Sequence, residues 1–407
     1  MSGIDVLVIG AGPAGLMAAE TCAKAGLKVV IAEGSPQPGR KFLLAGRGGL
    51  NLTHSEPLGV FLTRYGPSRA RLEPAIRGFD PDALRAWAER LGEPTFVGSS
   101  SRVFPGSFKS TPLLRAWLRE LSALGVRLRT RWRWRGLDAD GAALFDGPEG
   151  QTKLEARAKI LALGGASWPR LGGDGAWTEI LADWGVRVAP LTPANAGLRV
   201  NWSATFRDRF AGEPLKAIRW RFGDGETRAE AVITRDGVEG GAAYALGAAL
   251  RTALAHDGEA ALVLDLKPDW AFEKLVERLA RPTDASLSNF LRKAAQLSPV
   301  AIGLMREAGE IPREPRALAR RIKSCPMRLT GFGGLERAIS SAGGIAWDEV
   351  DERFGLIKMP GVFVAGEMID WEAPTGGYLL QACLATGVAA AEGARDWVSE
   401  LSGRRHG

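Results

Sequence analysis

The chain has 407 residues, of which 45% are hydrophobic and 24% charged, a composition typical of a soluble globular protein. This length exceeds one simple core, so we expect two or three domains. No apolar run reaches the ~20 residues that span a membrane, and the first strand begins almost at Met1, so we expect neither a membrane segment nor a signal peptide. The three cysteines form no Cys-x-x-Cys pair, which argues against a disulfide or zinc site and favours a cytoplasmic location.

The N-terminal stretch carries the strongest motif. An apolar strand over 5–9 leads directly into Gly10-x-Gly12-x-x-Gly15, a helix of small residues and a second strand ending in Glu33, 23 positions after Gly10. In this pattern the first glycine permits a tight turn, the second lets a pyrophosphate approach the backbone, and the third lets helix and strand pack closely. The helix start presents N–H groups to phosphates, and the acid binds a ribose. The sequence therefore predicts a dinucleotide-binding βαβ unit.

A glycine-rich basic loop over 39–54 follows this unit. Arg40, Lys41 and Arg47 supply positive charge, and glycines let backbone come close to a flat or phosphorylated ligand. A flexible surface loop is the alternative. The density of glycine together with arginine and lysine favours contact with a ligand.

The rest of the first block alternates helices and strands. The predicted elements are a helix over 80–92, a helix near 111–124, a hairpin turn at Asp140-Gly141, a strand over 158–163 that ends in Gly164-Gly165, and a helix over 176–184. Over 127–135 arginines alternate with Leu, Thr and Trp, which predicts one strand with an arginine face. We interpret that face as the solvated side of a small sheet rather than as a phosphate-binding surface.

The second half of the chain changes character at Pro190 and Pro193. Residues 190–265 are strand-like with a Gly/Ala-rich interruption at 240–244, and residues 268–324 are helical in pattern.

The closing stretch resembles the opening one in style. A short buried strand over 361–365 ends in Gly366-Glu367, and Thr375-Gly376-Gly377-Tyr378 opens a long helix over 379–397. Both ends of the chain have the pattern of nucleotide-binding segments. We therefore expect one discontinuous domain formed by the two ends, with the middle of the chain inserted into it.

Four motifs in order carry a resemblance to a known family: Gly10-x-Gly12-x-x-Gly15, Arg40-Lys41-Phe42-Leu43, Gly343-Gly344-Ile345, and Gly366-Glu367 with Gly376-Gly377-Tyr378. Together they resemble the BaiN-like (HI0933-like) FAD-dependent flavoproteins. The resemblance implies an α/β fold with a discontinuous glutathione-reductase-type FAD-binding Rossmann domain, an inserted β-barrel-like domain and a small helical subdomain. The implied bounds are 1–188 and 335–407 for the FAD domain, 189–265 and 325–334 for the β-rich domain, and 266–324 for the helical subdomain.

The resemblance also implies FAD as cofactor and a set of positions that bind it. The N-terminal glycines would face the pyrophosphate, Glu33 the adenosine ribose, the loop from Arg40 to Asn51 the flavin, and Gly366-Glu367 the ribityl-phosphate region. The complete predicted set is Gly10, Gly12, Pro13, Ala14, Gly15, Glu33, Gly34, Arg40, Lys41, Gly46, Gly48, Gly49, Asn51, Trp134, Gly165, Gly366, Glu367, Gly376, Gly377, Tyr378 and Leu379.

The chain departs from the family pattern in two places. Many members carry a Ser-Gly-…-Arg-Cys-Asn loop, whereas the matching positions here are Ala45, Gly49, Leu50 and Asn51, so a thiol is absent from this loop. The stretch 234–241 replaces a more common Thr-His-x-Gly-x-Ser-Gly-Pro. These differences identify a divergent subgroup.

The predicted function is an FAD-dependent oxidoreductase acting on a small organic substrate. One complete Gly-x-Gly-x-x-Gly indicates no second nicotinamide domain, so NAD(P)H would bind transiently or another donor would serve. The alternatives are a flavoprotein acting on tRNA, suggested by the net charge of +7, and a non-catalytic FAD-binding sensor. Because basic residues do not cluster with aromatics in a recognisable module, nucleic acid is the less favoured partner.

The sequence does not identify a catalytic residue. His54, which follows the basic loop, and Tyr378 are the candidates for acid–base chemistry, although a structural hydrogen bond and packing are the commoner roles of such residues. His256 falls in a turn and His406 in the tail. No pattern of metal ligands is present.

Overall fold

The computed structural model describes residues 3–98, 100–282 and 284–404. Its strands are β1 (Ile4–Ile9), β2 (Val29–Glu33), β3 (Thr53–His54), β4 (Thr95–Val97), β5 (Arg102–Pro105), β6 (Arg127–Thr130), β7 (Arg133–Leu137), β8 (Ala143–Gly147), β9 (Gly150–Leu154), β10 (Ala156–Leu161), β11 (Val188–Ala194), β12 (Leu198–Arg199), β13 (Pro214–Leu215), β14 (Arg219–Phe222), β15 (Gly225–Thr227), β16 (Ala231–Thr234), β17 (Gly237–Glu239), β18 (Ala260–Asp265), β19 (Cys325–Leu329), β20 (Gly331–Phe332), β21 (Ser340–Ile345) and β22 (Val362–Val364).

The α-helices are α1 (Pro13–Lys24), α2 (Arg40–Ala45), α3 (Leu58–Thr63), α4 (Arg69–Gly78), α5 (Pro81–Arg90), α6 (Ser110–Ala123), α7 (Trp177–Asp183), α8 (Ala204–Phe210), α9 (Gly241–Ala245), α10 (Gly247–Asp257), α11 (Phe272–Leu279), α12 (Leu287–Ala294), α13 (Pro299–Glu307), α14 (Pro315–Lys323) and α15 (Tyr378–Arg404). Short 3-10 turns cover Gly46–Gly48, Gly66–Ser68, Pro169–Leu171, Trp347–Glu349 and Gly366–Met368. Within the described residues, none of these helices combines the length and the apolar character that a membrane crossing requires.

The chain folds into two compact units. One runs to Thr192 and resumes at Ser340, and the other comprises Pro193–Ile339. The first unit is built on a parallel sheet in the order β22-β10-β1-β2-β6. Val6, Leu7 and Val8 of β1 are fully buried, as expected for a central parallel strand covered on both faces. Each such side chain contributes roughly 1.5–3 kcal/mol of burial energy.

The two ends of the chain meet in the first unit. α15 packs along α1, and a side chain at Gly387 would come within 2.4 Å of the Ala14 carbonyl oxygen. β22 completes the sheet beside β10. The Gly366 turn lies next to the first turn of α1, where a side chain at Gly366 would come within 2.8 Å of Ala14 Cβ.

Most sequence-based element predictions in this unit are confirmed. α5 begins after an Asp80 cap that accepts a hydrogen bond from Ala83 N, and α6, α7, β10 and the turn at Gly141 lie where they were expected. The prediction of one arginine-alternating strand over 127–135 is wrong. The backbone turns at Arg131 (φ 62°), because Arg131 N and Trp132 N donate to carbonyls at the end of β2, Ser35 O and Glu33 O.

The consequence is that β6 and β7 lie in different sheets. β6 forms the edge of the parallel sheet, and β7 begins the antiparallel sheet β7-β8-β9. A third small sheet, β3-β5-β4, carries His54 at one end.

The second unit combines two antiparallel sheets with helices. The sheets have the orders β13-β16-β17-β12-β20 and β15-β14-β18-β19. Its core includes Trp220 and Phe206. The predicted helical character of 268–324 is confirmed by α11 to α14, whereas the interruption at 240–244 is the start of α9.

Candidate cofactor and active site

The turn after β1 leaves room for a ligand beside the backbone. Gly10 has φ 105°, and a side chain there would meet the Ala162 carbonyl oxygen at 2.3 Å. A side chain at Gly15 would meet Gly10 O at 2.0 Å, whereas one at Gly12 would enter open space. No side chain caps α1, so its first-turn N–H groups, which include those of Ala14 and Gly15, have no intrahelical acceptor. The turn thus has the form of a phosphate cradle entered beside Gly12 and Pro13.

Glu33 ends β2 directly beside this turn. Its carboxylate accepts hydrogen bonds from Ala11 N at 2.8 Å and from Ser35 N at 2.7 Å. Each oxygen keeps a further lone pair, because a carboxylate offers about four acceptor positions. The acid therefore fixes the glycine turn and retains the capacity to bind a ribose. Gly34, next in the chain, is exposed.

Some glycines of the basic loop are tightly packed, and others lie beside open space. A side chain at Gly46 would strike Ser110 Oγ at 2.3 Å, and one at Gly49 would strike the Phe108 ring at 2.3 Å, whereas Gly48 faces open space. Asn51 follows, and its buried Oδ1 has no hydrogen-bond partner among the described residues. A buried amide oxygen without a donor is costly, so Asn51 fits an N–H group of a bound flavin.

Lys41 and Glu367 were predicted to contact different parts of the cofactor, and the structure joins them. Lys41 Nζ lies 2.9 Å from Glu367 Oε2 and donates to Ser167 Oγ at 2.7 Å. Glu367 Oε1 accepts from Ser341 N at 2.9 Å. A side chain at Gly165 would strike Ser341 Oγ at 1.8 Å. The lysine charge is therefore already balanced by a carboxylate.

Arg40 is the cation that this pairing leaves available. It is half-buried at the start of α2, and its guanidinium makes no hydrogen bond or ion pair with residues 3–98, 100–282 and 284–404. An arginine without a carboxylate partner suits a phosphate oxygen. His406 and the side chain of Arg47 lie outside the described part of the chain.

We expect Arg40→Ala to weaken FAD binding roughly tenfold at low salt, from loss of about 1.5 kcal/mol of charge-assisted contact. The loss should shrink at high ionic strength because salt screens the pair. Equilibrium dialysis of the apoprotein at two salt concentrations measures this. Arg115→Ala, an exposed arginine on α6, is the control, and an equal loss at both concentrations would indicate packing instead of charge.

The segment that precedes α15 is tightly packed. Gly366 N donates to Thr386 Oγ1 at 3.0 Å. A side chain at Gly376 would meet the Tyr378 ring at 2.7 Å, and one at Gly377 (φ 93°) would meet the Thr53 backbone at 2.5 Å. Leu379 is half-buried. Packing alone thus requires glycine at 377, and contact of this segment with the cofactor stays a prediction.

His54 and Tyr378 belong to one hydrogen-bonded cluster with Glu56 and Arg64. The two rings stack with centroids 5.4 Å apart. The Tyr378 hydroxyl donates to Glu56 Oε1 at 2.6 Å, and Arg64 Nη2 donates to Glu56 Oε2 at 2.6 Å. His54 Nδ1 accepts from Glu56 N at 3.2 Å.

The charges in this cluster disfavour proton transfer by its rings. Burial lowers the pKa of His54, and burial together with the Glu56 hydrogen bond raises the pKa of Tyr378. The Arg64 guanidinium lowers the pKa of Glu56. A neutral imidazole and a firmly protonated phenol favour structural roles for the two candidate catalytic residues. Glu56 and Arg64 were not identified as site residues from the sequence, because an isolated charged residue in a polar stretch has no motif that indicates a function.

We expect the Glu56 interactions to make stability depend on acid pH. Because the folded pKa is depressed, their contribution is present above the ordinary glutamate pKa of about 4.3 and is lost as pH falls through the folded pKa. Glu56→Gln should cost about 1–2 kcal/mol at pH 7 and clearly less near pH 3. Urea unfolding at both pH values tests this, with exposed Glu149→Gln as control; a cost independent of pH would contradict it.

Trp134 lies away from the basic loop, on β7. It is buried, opposite Phe145 in β8, and its Nε1 has no partner among the described atoms. With Asn51 it is one of two buried unsatisfied polar groups that fall on predicted FAD positions. The open space at Gly12, unpaired Arg40 and these two orphaned atoms together fit a bound dinucleotide. Among the described residues no cluster of His, Cys, Asp or Glu is arranged to hold a metal.

An exposed group of three phenylalanines, missed in the sequence, borders the basic loop. Phe96, Phe104 and Phe108 lie on β4, on β5 and in the turn after β5. Phe108 has φ 62°, a conformation that costs a bulky residue about 1–3 kcal/mol. Phe108 O accepts from Leu50 N at 3.1 Å. This turn therefore contacts the loop that carries Asn51.

Comparison with known proteins places this site in context. The family model described as the HI0933-like protein Rossmann domain matches residues 4–393. A 3-dehydro-bile acid delta(4,6)-reductase from Clostridium scindens is 25% identical, across 96% of this chain and 98% of that protein. A ribosomal RNA dihydrouridine synthase from Escherichia coli is 24% identical, across 94% of this chain and 95% of that protein.

Solved structures show the same fold at low identity. A 3-ketosteroid-delta4-(5alpha)-dehydrogenase from Rhodococcus jostii has a TM-score of 0.50 and 18% identity, across 97% of this chain and 96% of that one. A 3-ketosteroid delta1-dehydrogenase from Sterolibacterium denitrificans has a TM-score of 0.51 and 14% identity, across 97% and 100%. These likenesses identify a Rossmann-type FAD-binding α/β fold.

Proposed function

Because the chain belongs to the HI0933-like family and is an FAD-dependent oxidoreductase of small organic substrates, we propose that it reduces a carbon–carbon double bond conjugated to a carbonyl group. The two hydrogens would be added across that bond, one as hydride and one as a proton.

The observation that carries this proposal is a chemistry shared by two relatives that match nearly the whole chain. One is named a delta(4,6)-reductase of 3-dehydro-bile acids, and the other a dihydrouridine synthase. A 3-keto group makes such ring double bonds conjugated, and the uracil ring likewise carries its double bond next to a carbonyl. Both names therefore describe saturation of an electron-poor double bond, although one substrate is a free ring compound and the other a base in RNA.

The residues of the site support this chemistry by binding and orienting the cofactor. Bound FAD would supply hydride transfer. The turn at Gly12 and the Arg40 guanidinium would hold its phosphates, Glu33 its adenosine ribose, and Asn51 an N–H group of its flavin ring. The Lys41–Glu367 pair would keep the neighbouring elements in place without adding net charge near the flavin.

Anaerobic half-reactions test the proposed reaction. The holoenzyme is first titrated with NADH and NADPH, and then photoreduced if neither bleaches the flavin. Androst-4-ene-3,17-dione should then restore the oxidised flavin spectrum and be recovered with one double bond saturated. Its saturated counterpart, 5α-androstane-3,17-dione, should not. A flavin that stays reduced with the enone and with other conjugated ketones, yet is reoxidised by oxygen, would contradict the proposal and favour an FAD-binding sensor.

RNA is the second candidate substrate, and a feature of the Pro193–Ile339 unit favours it. Trp270 has Lys267, Lys274 and Arg278 at 5.4, 5.2 and 5.0 Å from its ring. Three cations gathered around one ring form a local positive surface that suits contact with phosphates. RNA binding that falls steeply with salt, and that weakens with Lys267→Ala and Lys274→Ala, would support this candidate; no binding at modest salt would dismiss it.

The finer organisation is part of the same proposal. The FAD domain would be of the glutathione-reductase type, spanning 1–188 and 335–407, with an inserted β-barrel-like domain (189–265 and 325–334) and a helical subdomain (266–324). The electron donor would be NAD(P)H bound transiently. Three unpaired cysteines are in keeping with a cytoplasmic location.

A further inference from the structure

The three phenylalanines beside the basic loop form one apolar surface, called here the phenylalanine triad. Phe96 and Phe104 face each other across β4 and β5, with ring centroids 5.7 Å apart and planes inclined by 29°. Phe108 lies 6.3 Å from Phe96 at 22° and 4.9 Å from Phe104. Phe96 is 43% and Phe108 44% exposed. The Phe104 ring is half-buried and inclined by 36° to that of Phe108, so Phe96 and Phe108 supply most of the apolar area at the surface.

Two features of the backbone argue that this exposure serves a ligand. Phe108 keeps a left-handed conformation (φ 62°) that glycine or asparagine would adopt with less strain. Strain of this kind concentrates at ligand-binding and catalytic sites. Exposed aromatic rings also forgo the burial that normally stabilises them. The exposed area of Phe96 and Phe108 is explained if the rings bind a ligand.

The position of the triad indicates which ligand. The Phe108 ring covers Gly49, where a side chain would approach it to 2.3 Å, and its carbonyl binds Leu50 N. Asn51, with its unsatisfied buried oxygen, is the next residue of that loop. The triad therefore adjoins the segment assigned to the flavin side of the site. A molecule lying on these rings would have one end directed toward that segment.

We propose that the phenylalanine triad binds the planar, uncharged ring system of the substrate, a polycyclic conjugated ketone. This inference rests on the proposed function for the identity of the reacting group. The triad would supply affinity through ring stacking and apolar contact, and it would favour ring systems over short-chain enones, because a ring system places more apolar area against the three phenylalanine rings.

Binding to the oxidised holoenzyme tests the triad without relying on turnover. The probe is androst-4-ene-3,17-dione, measured by equilibrium dialysis and by perturbation of the flavin spectrum. Phe96→Ser and Phe108→Gly should each weaken binding at least fivefold, and the double variant more than tenfold. Phe108→Gly relieves the strained backbone, and Phe96 lies on β4, outside the basic loop. FAD content and thermal midpoint therefore show whether each variant still folds and binds FAD, separately from its affinity for the probe. Ile357→Ser is the control, because Ile357 is an apolar residue elsewhere that is more exposed than Phe96 or Phe108, and this variant should bind as the wild type does.

The result that overturns the proposal is unchanged affinity in the double variant at wild-type FAD content. Failure of the wild type to bind the probe would overturn it as well. Displacement of the probe by a short uridine-rich RNA, with loss of RNA binding in the same variants, would reassign the triad to an RNA base. If the enone binds through the triad yet fails to reoxidise the flavin, the proposed reaction is wrong while the binding surface stands.

Discussion

Gly15→Ala is expected to destabilise the apoprotein, whereas Gly12→Ala is expected to leave it folded but to weaken FAD binding strongly. A methyl group at Gly15 would sit 2.0 Å from Gly10 O, a backbone atom that cannot swing aside, whereas one at Gly12 enters open space. We expect Gly15→Ala to cost about 3 kcal/mol, which would lower the thermal midpoint by roughly 3–6 °C in a chain of this length. Gly12→Ala should cost less than about 1 kcal/mol, as a poorer helix cap.

The same pair separates fold from cofactor binding. If the space beside Gly12 holds the pyrophosphate, its alanine variant should bind FAD about 10–100-fold more weakly, the equivalent of ~1.4–2.7 kcal/mol. Apoprotein melting and FAD titration of both variants are the measurements. Full FAD affinity in Gly12→Ala would place the pyrophosphate elsewhere. An unchanged midpoint in Gly15→Ala would mean that α1 does not approach β1 as closely as described.

Gly377→Ala is expected to destabilise the protein nearly as much as Gly15→Ala does, because the residue is tightly packed. The residue has φ 93°, and a methyl group there would lie 2.5 Å from the Thr53 Cα. The conformational strain and the backbone collision together should cost about 3 kcal/mol or more. Thr53 Oγ1 also donates to buried Gln381 Oε1 at 2.7 Å, so a shift of β3 would break a buried hydrogen bond at the start of α15.

Thermal melting of the apoprotein measures this effect. Gly48→Ala is the control, since a methyl group there meets open space and the midpoint should not move. A Gly377→Ala protein with a wild-type midpoint would contradict the description of this contact.

Local sequence patterns were enough to predict those helices, strands and turns whose conformation depends on residues nearby in the chain. A βαβ unit is specified by the apolar strand, the three spaced glycines and the acid Glu33. The steric and hydrogen-bonding constraints on these residues come from others within about thirty positions in the chain. Helix boundaries followed from caps and prolines in the same way, as at α5. The break at Arg131 was missed, since alternation of side chains continues through it, and the hydrogen bonds that bend the chain come from β2.

The family and its FAD chemistry could also be predicted from the sequence, because four motifs in a fixed order can be compared with those of known families without a structure. What the tertiary structure alone decided is how charges and rings are paired. Lys41 and Glu367 are 326 positions apart in the chain, and only folding makes them partners and leaves the Arg40 guanidinium without a carboxylate among the residues that the structure describes. Glu56 meets Tyr378, and Phe108 covers Gly49, by contacts that no local pattern records. The energy of a charge or an exposed ring depends on what surrounds it in space, and these surroundings come from distant parts of the chain.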